Sequence, residues 1–177
     1  MSTARVYQND VKLDSKFKAG YGAAILFKVP FDGVLHFSPY LAYNRRGYTY
    51  TPKSGTTTQY ENTIHFFDIV PALSVDFPSG KNSFVISAGP QLGFALAGTE
   101  KTISGGNASS SKMKFSISNS YGPFDLGTAA SIGYHMKSLF VEAGFQLGLS
   151  NINNDVETDK RNIQNRMISL QVGYYLR

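Results

Sequence analysis

Residues 64–97 read IHFFDIVPALSVDFPSGKNSFVISAGPQLGFALA, and the alternation in this stretch decides the fold. Side chains of a strand point to opposite faces in turn, so every second residue shares a face. One face is large and apolar: Phe67, Ile69, Leu73, Val75, Phe77, Phe84, Ile86, Leu92 and Phe94. The other face mixes small, polar and charged residues: Asp68, Ala72, Ser74, Asp76, Ser87, Gly89, Gln91 and Gly93. We interpret the stretch as two long strands joined by a turn at residues 78–81.

Two kinds of protein carry such a pattern. In a soluble sandwich or a lipocalin-like barrel, the apolar face is the core and the polar face meets water. In a membrane barrel, the apolar face meets lipid and the small, polar face lines the interior. A solvent face would favour Lys, Glu and Thr, whereas this face carries Gly, Ser, Ala and Gln, which suit a narrow lumen. The pattern therefore favours a membrane barrel over a soluble carrier.

The composition excludes several other classes. The chain contains no Cys, so it has neither disulfides nor a thiolate metal site. No apolar run is long enough for a transmembrane helix. The N-terminal sequence MSTARVYQND lacks the apolar region of a signal peptide, so we expect the export signal to be absent from this sequence. The net charge is +5, but the basic residues are scattered over loops and strand ends. We therefore expect no nucleic-acid binding.

The order of strands and loops predicts the topology. Short turns at residues 31–33, 78–81 and 137–138 alternate with long polar segments at 45–62, 98–121 and 150–161. Outer-membrane barrels place short turns in the periplasm and long loops outside the cell. We therefore predict a single domain over residues 1–177: an all-β, eight-stranded antiparallel transmembrane barrel in the bacterial outer membrane, monomeric, with a short or truncated first strand at residues 2–7. Pro39, Pro71 and Pro90 fall inside predicted strands, where we expect bulges.

Ionisable residues on the predicted inner face form two candidate clusters. The first lies near the periplasmic end and comprises Lys28, His36, Asp76, His135 and Glu142, with Lys28 opposite His36 and paired with Asp76 or Glu142. The second lies near the outer end and comprises Lys18, Asp68 and Asp125. Such clusters could perform acid–base chemistry or bind a metal. Because buried ions need partners, we predict instead a structural charge network, with no catalytic, metal or cofactor site and no cofactor.

Five segments together carry a resemblance to a known family: KAGYGAAI, LHFSPYLAYNRRGY, FDIVPALSVDF, FVISAGPQLGFALAG and the terminal NRMISLQVGYYL. They resemble the PorT-like outer-membrane β-barrel family of Bacteroidota, a Gram-negative group. The resemblance implies a barrel of the cell envelope, covers nearly the whole chain from Phe17, and suggests a first Gly-rich strand that is missing or cut here. A few relatives are implicated in protein secretion and gliding machinery.

These observations lead to one functional hypothesis and four alternatives. We expect a non-enzymatic surface, structural or interaction protein whose extracellular loops contact lipopolysaccharide, an external ligand or an envelope protein, while the barrel contacts outer-membrane lipid. The alternatives are a narrow pore, an accessory barrel of a secretion machinery, a lipid-modifying enzyme using His36 and Ser38, and a soluble lipocalin-like carrier. Nucleophilic catalysis would require that the His and Ser lie within hydrogen-bond reach and open to substrate.

Overall fold

The molecule is built from antiparallel β-strands. The structure, a computed structural model, describes residues 1–8, 11–51, 58–116, 121–153 and 161–176. Within these residues the strands form one 14-stranded sheet, and no helix is long and apolar enough to cross a membrane. The strands are β1 (Ser2–Gln8), β2 (Val11–Lys12), β3 (Asp14–Phe17), β4 (Gly22–Leu26), β5 (Val29–Asp32), β6 (Leu35–Phe37), β7 (Tyr40–Thr51), β8 (Gln59–Val70), β9 (Leu73–Ser79), β10 (Asn82–Ser104), β11 (Asn107–Met113), β12 (Phe124–His135), β13 (Leu139–Gly148) and β14 (Arg161–Tyr174).

Several short strands lie end to end and together act as one long strand of the barrel wall. We call each such continuous strand a stave, and the wall has eight staves. The strands β3, β4 and β5 form one stave, β6 and β7 another, and β8 and β9 a third. The sheet runs in the order β1, β14, β13, β12, β10, β8, β7, β3. It closes where Ser2 N donates to Lys18 O at 2.9 Å and Lys18 N donates to Ser2 O at 2.7 Å. The predicted eight-stranded antiparallel barrel is confirmed, and its first strand is short.

An apolar belt surrounds the end of the barrel that carries the short turns. Its exposed side chains include Phe27, Val29, Phe31, Leu73, Phe77, Phe84, Ile86, Leu126, Ile132, Phe145, Leu170, Val172 and Tyr174. The faces predicted for residues 64–94 are correct: Leu73 is 50% exposed, whereas Val70 and Asp68 are fully buried. Apolar side chains that face outward in a continuous band are what a lipid-facing surface requires.

The three prolines within the predicted strands do not cause bulges. Pro39 and Pro71 lie in short breaks, between β6 and β7 and between β8 and β9. Pro90 lies inside β10 at the point where one neighbour changes, since β9 pairs up to Ala88 and β8 pairs from Leu92. No ladder hydrogen bond is required of a proline nitrogen there. The expectation of bulges at these sites is wrong, and the register shifts instead between Pro30 and Asp32 and between Ala95 and Ala97.

The register of the first hairpin also differs from the prediction. Pro30, not Lys28, lies opposite His36, and Ala24 lies opposite Ala42. The turn lies at Gly33 and Val34 instead of being centred on Asp32, and together with the one-residue register shift beside it this moves the pairing by two residues. A shift by two preserves the face of every side chain. The predicted strand over residues 17–29 is likewise interrupted, because β3 ends at Phe17 and β4 begins at Gly22.

The barrel extends well beyond the apolar belt. In the segment predicted as a polar loop at 98–121, residues 98–104 continue β10 and residues 107–113 return as β11. Gly105 and Gly106, in the turn between them, have φ of 55° and 84°. Residues 117–120 lie outside the described residues. Above the belt the interior is apolar, with a buried cluster of Ala4, Val6, Leu13, Tyr48, Tyr50, Ile64, Phe66, Met113, Tyr121, Ile152 and Ile163. The extracellular part therefore has the apolar core of a soluble sandwich, outside the membrane.

The lipid-facing assignment predicts the cost of a charge in the belt. Leu73→Arg should lower the free energy of unfolding by about 2–4 kcal/mol if the residue lies near the bilayer midplane. Urea titration of the protein refolded into lipid vesicles measures this difference. Thr99→Arg is the matched control, because Thr99 is exposed on β10 above the belt. Equal midpoints for Leu73→Arg and Thr99→Arg would contradict the assignment.

Candidate functional site

A single arginine links the acidic residues at the centre of the lumen. The Arg46 guanidinium, on β7, forms an ion pair with Asp68 through Nη2, and its Nη1 lies 3.2 Å from Asp125 Oδ2. Nη2 also donates to Gln146 Oε1 at 2.9 Å. Arg46 is 3% exposed, and both carboxylates are fully buried. The planar fork of donors allows one Arg to serve two carboxylates, which a Lys would do less well.

Amide side chains from neighbouring staves complete this network. Asp68 accepts hydrogen bonds from Asn44 Nδ2 at 2.6 Å and Gln91 Nε2 at 3.0 Å. Asp125 accepts from Asn165 Nδ2 at 2.9 Å and Ser150 Oγ at 3.4 Å. The network therefore joins β7, β8, β10, β12, β13 and β14 across the lumen. Its residues are Asn44, Arg46, Asp68, Gln91, Asp125, Gln146 and Asn165, and we call them the central network.

Glycines on the inner face make room for the central network. A Cβ added at Gly93 would lie 2.8 Å from Asp68 Oδ1, and one added at Gly148 would lie 2.7 Å from Asp125 Oδ1. Real Cβ atoms do not approach oxygen so closely, and both carboxylates are held in place by several bonds. At these two positions the small residue is therefore required, because a side chain would occupy the space of a carboxylate of the central network.

The outer cluster predicted from the sequence is only partly assembled. Asp68 and Asp125 come together, but Arg46 joins them. Lys18 Nζ instead donates to Thr63 Oγ1 at 2.5 Å and lies 2.6 Å from Glu61 Oε1. The composition of residues 45–62 predicts a polar loop that includes Arg46, and for Arg46 this prediction is wrong, because the residue lies in β7. The pattern that indicates the position of Arg46 is the inward face of the strand: Ala42 and Asn44 face the lumen, and Arg46 is the next residue on the same face.

The predicted floor residues fall into two groups. Lys28 Nζ lies 2.5 Å from Asp76 Oδ2, and His36 Nδ1 lies 3.6 Å from Asp76 Oδ1. In the second group, His135 Nε2 lies 2.7 Å from Glu142 Oε1. The other carboxylate oxygen of Glu142 accepts from Ser131 Oγ at 3.0 Å, and His135 Nδ1 lies 2.7 Å from Tyr175 Oη. Among the described side chains, no group of three or more His, Cys, Asp or Glu is placed to hold a metal ion.

His36 and Ser38, the pair considered for catalysis, form hydrogen bonds to other groups and not to each other. His36 Nδ1 lies 3.1 Å from Val34 O, and Ser38 Oγ lies 2.6 Å from Ser74 Oγ. A nucleophile requires a base within hydrogen-bond reach. His36 and Ser38 do not form such a pair.

A group of cations lies on the outer wall directly above the apolar belt. Lys18, Arg45 and Lys101 surround one carboxylate, Glu61, and we call these four residues the rim patch. Lys101 lies opposite Glu61 in the β8–β10 ladder. The hydrogen bond from Lys18 is the main cause that lowers the pKa of Glu61, and the charges of Lys101 and Arg45 add to it. Glu61 is therefore ionised at neutral pH, and the patch keeps a net positive charge.

An aromatic layer marks the boundary between this patch and the belt. The Arg45 guanidinium lies 5.7 Å from the centroid of the Tyr21 ring. Tyr43 Oη lies 2.5 Å from His65 Nδ1 on the outer face, beside Arg45. Aromatic residues with a polar end are typical of the membrane–water interface.

The sequence profile of a family described as outer membrane protein beta-barrel domain matches residues 2–154. The chain belongs to this family. As a member of the outer membrane protein beta-barrel domain family, it is an integral barrel of the outer membrane, and the predicted location is confirmed. No curated protein matches the chain.

Several solved structures are similar to this outer membrane family member. Ail, the attachment invasion locus protein of Yersinia pestis, is 16% identical, with a TM-score of 0.49 over 98% of this chain and 91% of Ail. Ail in complex with the heparin analogue sucrose octasulfate gives 15% identity and a TM-score of 0.46, with 98% and 92% covered. Neisserial surface protein A is 13% identical, with a TM-score of 0.42 over 97% of this chain and 90% of that protein.

The central network predicts a large penalty for losing its cation. Arg46→Met should lower the free energy of unfolding by about 3–5 kcal/mol, because two buried carboxylates lose their partner. Urea titration in detergent or lipid measures the change. The triple variant with Asp68→Asn and Asp125→Asn as well should recover most of the loss. Lys28→Met should lower the free energy of unfolding by less, since the side chains of Lys28 and Asp76 are 23% and 16% exposed. Unaltered stability of Arg46→Met would contradict a structural role of the central network.

Proposed function

We propose that this protein is a single-domain, monomeric and non-enzymatic outer-membrane surface protein, and that its rim patch binds phosphate groups of lipopolysaccharide. The observation that carries the proposal is the position of the patch. Three cations surround one carboxylate on the outer wall, immediately above the apolar belt. Lipopolysaccharide phosphates lie at this level, between the acyl chains and the sugars. Lys and Arg are the side chains that bind such anions.

Charge balance and geometry support this ligand class. Glu61 offsets one of the three positive charges and holds Lys18 at 2.6 Å, so that Lys18 has a fixed position. Arg45 stacks over Tyr21, and Lys101 is exposed on β10. Acyl chains packed on Tyr21 and its apolar neighbours would place a phosphate beside Arg45. A ligand with both an apolar and an anionic part therefore fits better than a free anion.

The interior supports a structural role rather than a pore or an enzyme. The central network crosses the lumen with buried, hydrogen-bonded side chains, and an apolar cluster fills the barrel above it. We propose that this network and the floor residues Lys28, His36, Asp76, His135 and Glu142 serve stability. We also propose that the chain is related to the PorT-like barrels of Bacteroidota, because several of its segments, among them AGPQLGFALAG, resemble that family.

Removing cations from the rim patch should weaken lipopolysaccharide binding. Each exposed charge contributes about 0.5–1 kcal/mol at a surface, which corresponds to roughly a two- to fivefold change in Kd. Arg45→Ala and Lys101→Ala should each weaken binding of lipid A in detergent by about this factor, as measured by isothermal titration calorimetry. Glu61→Gln should strengthen binding, since it removes the opposing charge.

The control is a cation at the opposite end of the barrel. Lys81→Ala removes an exposed charge from the β9–β10 turn, and we expect the Kd to stay unchanged. Binding of the wild type should also weaken with added salt. Equal affinities for the wild type, Arg45→Ala, Lys101→Ala and Lys81→Ala would refute the rim patch as the binding site.

A further inference from the structure

β11 lies at an edge of the sheet, above the apolar belt. It pairs with β10 over its whole length and with no other strand in the part of the chain that the structure describes. Its residues from Asn107 to Lys112 are all exposed. We call the side of β11 that faces away from β10, between Ala108 and Lys112, the free edge.

The turn before β11 determines which backbone groups face the free edge. Gly105 and Gly106 have φ of 55° and 84°, which identifies the two-residue type I′ turn of a hairpin. In such a turn the N–H of Asn107 donates to the C=O of Ser104 on β10. Along an antiparallel strand, alternate residues direct both their N–H and their C=O to the same neighbour. The residues that direct theirs to the free edge are therefore Ala108, Ser110 and Lys112.

The centre of the free edge lacks the features that prevent the addition of a strand. Edge strands are usually protected against further pairing by Pro, by a bulge or by charged side chains. β11 pairs with β10 without a register shift, and its residues 108–111 are the small, uncharged Ala-Ser-Ser-Ser. The backbone groups of the free edge are therefore accessible to a strand of another molecule.

Two lysines lie on one face of the hairpin beside the free edge. Lys112 lies on β11, and Lys101 lies opposite Ser110 on β10. Residues directly opposite in a ladder share a face, and so do residues two apart, so the two lysines project on the same side. Both are exposed. Lys101 also adjoins Glu61, but Lys18 already holds that carboxylate at 2.6 Å.

The positions of these lysines specify the side chains of an added strand. Such a strand would place one residue opposite Ser110 and another, two positions away on the same face, opposite Lys112. Neighbouring strands lie about 4.8 Å apart, so the long side chain of Lys101 reaches over the small Ser110 to the first of these residues. Lys112 lies directly beside the second. Carboxylates at both positions would pair with the two lysines.

We infer that the free edge is a docking site for an extended acidic segment of another protein, which joins the sheet as an antiparallel strand with acidic side chains at alternate positions. Backbone hydrogen bonds at Ala108, Ser110 and Lys112 provide affinity, and the carboxylates provide specificity. This site is separate from the proposed lipopolysaccharide site, although Lys101 belongs to both.

A second copy of the chain is a poorer occupant. Two free edges paired antiparallel about Ser110 would place Lys112 of each copy opposite Ala108 of the other. Lys101 and Lys112 of both copies would then share one face without a carboxylate, and like charges oppose such pairing. In one membrane, moreover, two copies have the same orientation, so their β11 strands would run parallel and not antiparallel.

Peptide binding to the full chain in detergent tests the inference. The probe is a fluorescent peptide of alternating Thr and Glu, about as long as β11, and the control peptide alternates Thr and Lys. Fluorescence anisotropy should show saturable binding of the Glu peptide and none of the Lys peptide. Lys112→Ala should weaken binding of the Glu peptide by roughly two- to fivefold. Equal affinity of the two peptides would overturn the inference.

Methylation of peptide nitrogens separates strand addition from simple charge attraction. In the antiparallel arrangement, the Glu residues opposite Ser110 and Lys112 also exchange hydrogen bonds with the free edge. N-methylation of the Glu residues should therefore abolish binding, whereas N-methylation of the Thr residues should leave the Kd nearly unchanged. If both methylated peptides bind as well as the parent peptide, no strand is added and the inference is wrong.

A proline on the free edge provides the matching change in the protein. Ser110→Pro removes one N–H from the free edge and none that bonds to β10, whereas Ser110→Ala removes only the hydroxyl. Ser110→Pro should weaken binding of the Glu peptide roughly fivefold, and Ser110→Ala should not. Amide exchange at Ser109 and Ser111 should stay slow in both variants, which shows that the hairpin is intact. The Kd for lipid A should not change, so the two sites are tested separately.

Two results for the protein without peptide would also overturn the inference. Slow amide exchange at Ala108, Ser110 and Lys112 in the isolated protein would show that the free edge is already paired. Protection of these amides that increases with protein concentration would assign the edge to a second copy. We expect fast exchange at all three amides, at every protein concentration, until the Glu peptide is added.

Discussion

Two carboxylates and one guanidinium in the lumen determine how the rest of the barrel is built. Asp68 and Asp125 lie on β8 and β12, which do not pair with each other, and each would be costly to bury alone. Arg46 lies between them and brings β7, β8 and β12 to a common point. Because the bonds cross the lumen instead of following the wall, they fix the relative positions of staves that do not pair with one another. The glycines at 93 and 148 leave the space that this arrangement needs.

The barrel interior is polar within the membrane and apolar above it, because the two parts are surrounded by different solvents. Within the membrane, lipid covers the apolar side chains, so the interior has to be held together by hydrogen bonds and ion pairs. Above the belt, water surrounds the outer wall, and the hydrophobic effect favours an apolar interior such as Tyr48, Ile64 and Phe66. The change occurs along single strands: in β8, Asp68 lies in the central network and Ile64 lies four residues above it in the apolar cluster.

The sequence predicts faces well and registers poorly. Alternation assigns Leu73 to lipid and Asp68 to the lumen, because the period of two depends only on local geometry. It does not fix which residues meet across a hairpin: a turn at residues 31–33 predicts Lys28 opposite His36, whereas Pro30 lies there. The sequence does not reveal the role of Arg46, because the stretch after it is rich in Tyr, Thr and Gly and resembles a loop, although β7 pairs regularly with β8 there. The alternation predicts that Lys18 joins Asp68 and Asp125 in the lumen, whereas its ammonium group lies beside Glu61. Lys18 follows β3 in an irregular segment, where the alternation of a strand does not fix the direction of a side chain.

The hairpin of β10 and β11 carries a part of the outer surface far from the apolar belt. From Ala97 to Ser104 the strand rises by roughly 3.4 Å per residue, so its tip stands on the order of 20 Å above the belt even when tilted. The tip carries Gly105 and Gly106 with small polar neighbours, Ser104 and Asn107, and has no large side chain for a partner to bind. Its backbone is nonetheless held by a regular ladder down to Met113. Because the tip stands so far from the belt, substitutions at its exposed residues Ser104 and Asn107 would leave the barrel wall within the membrane unchanged.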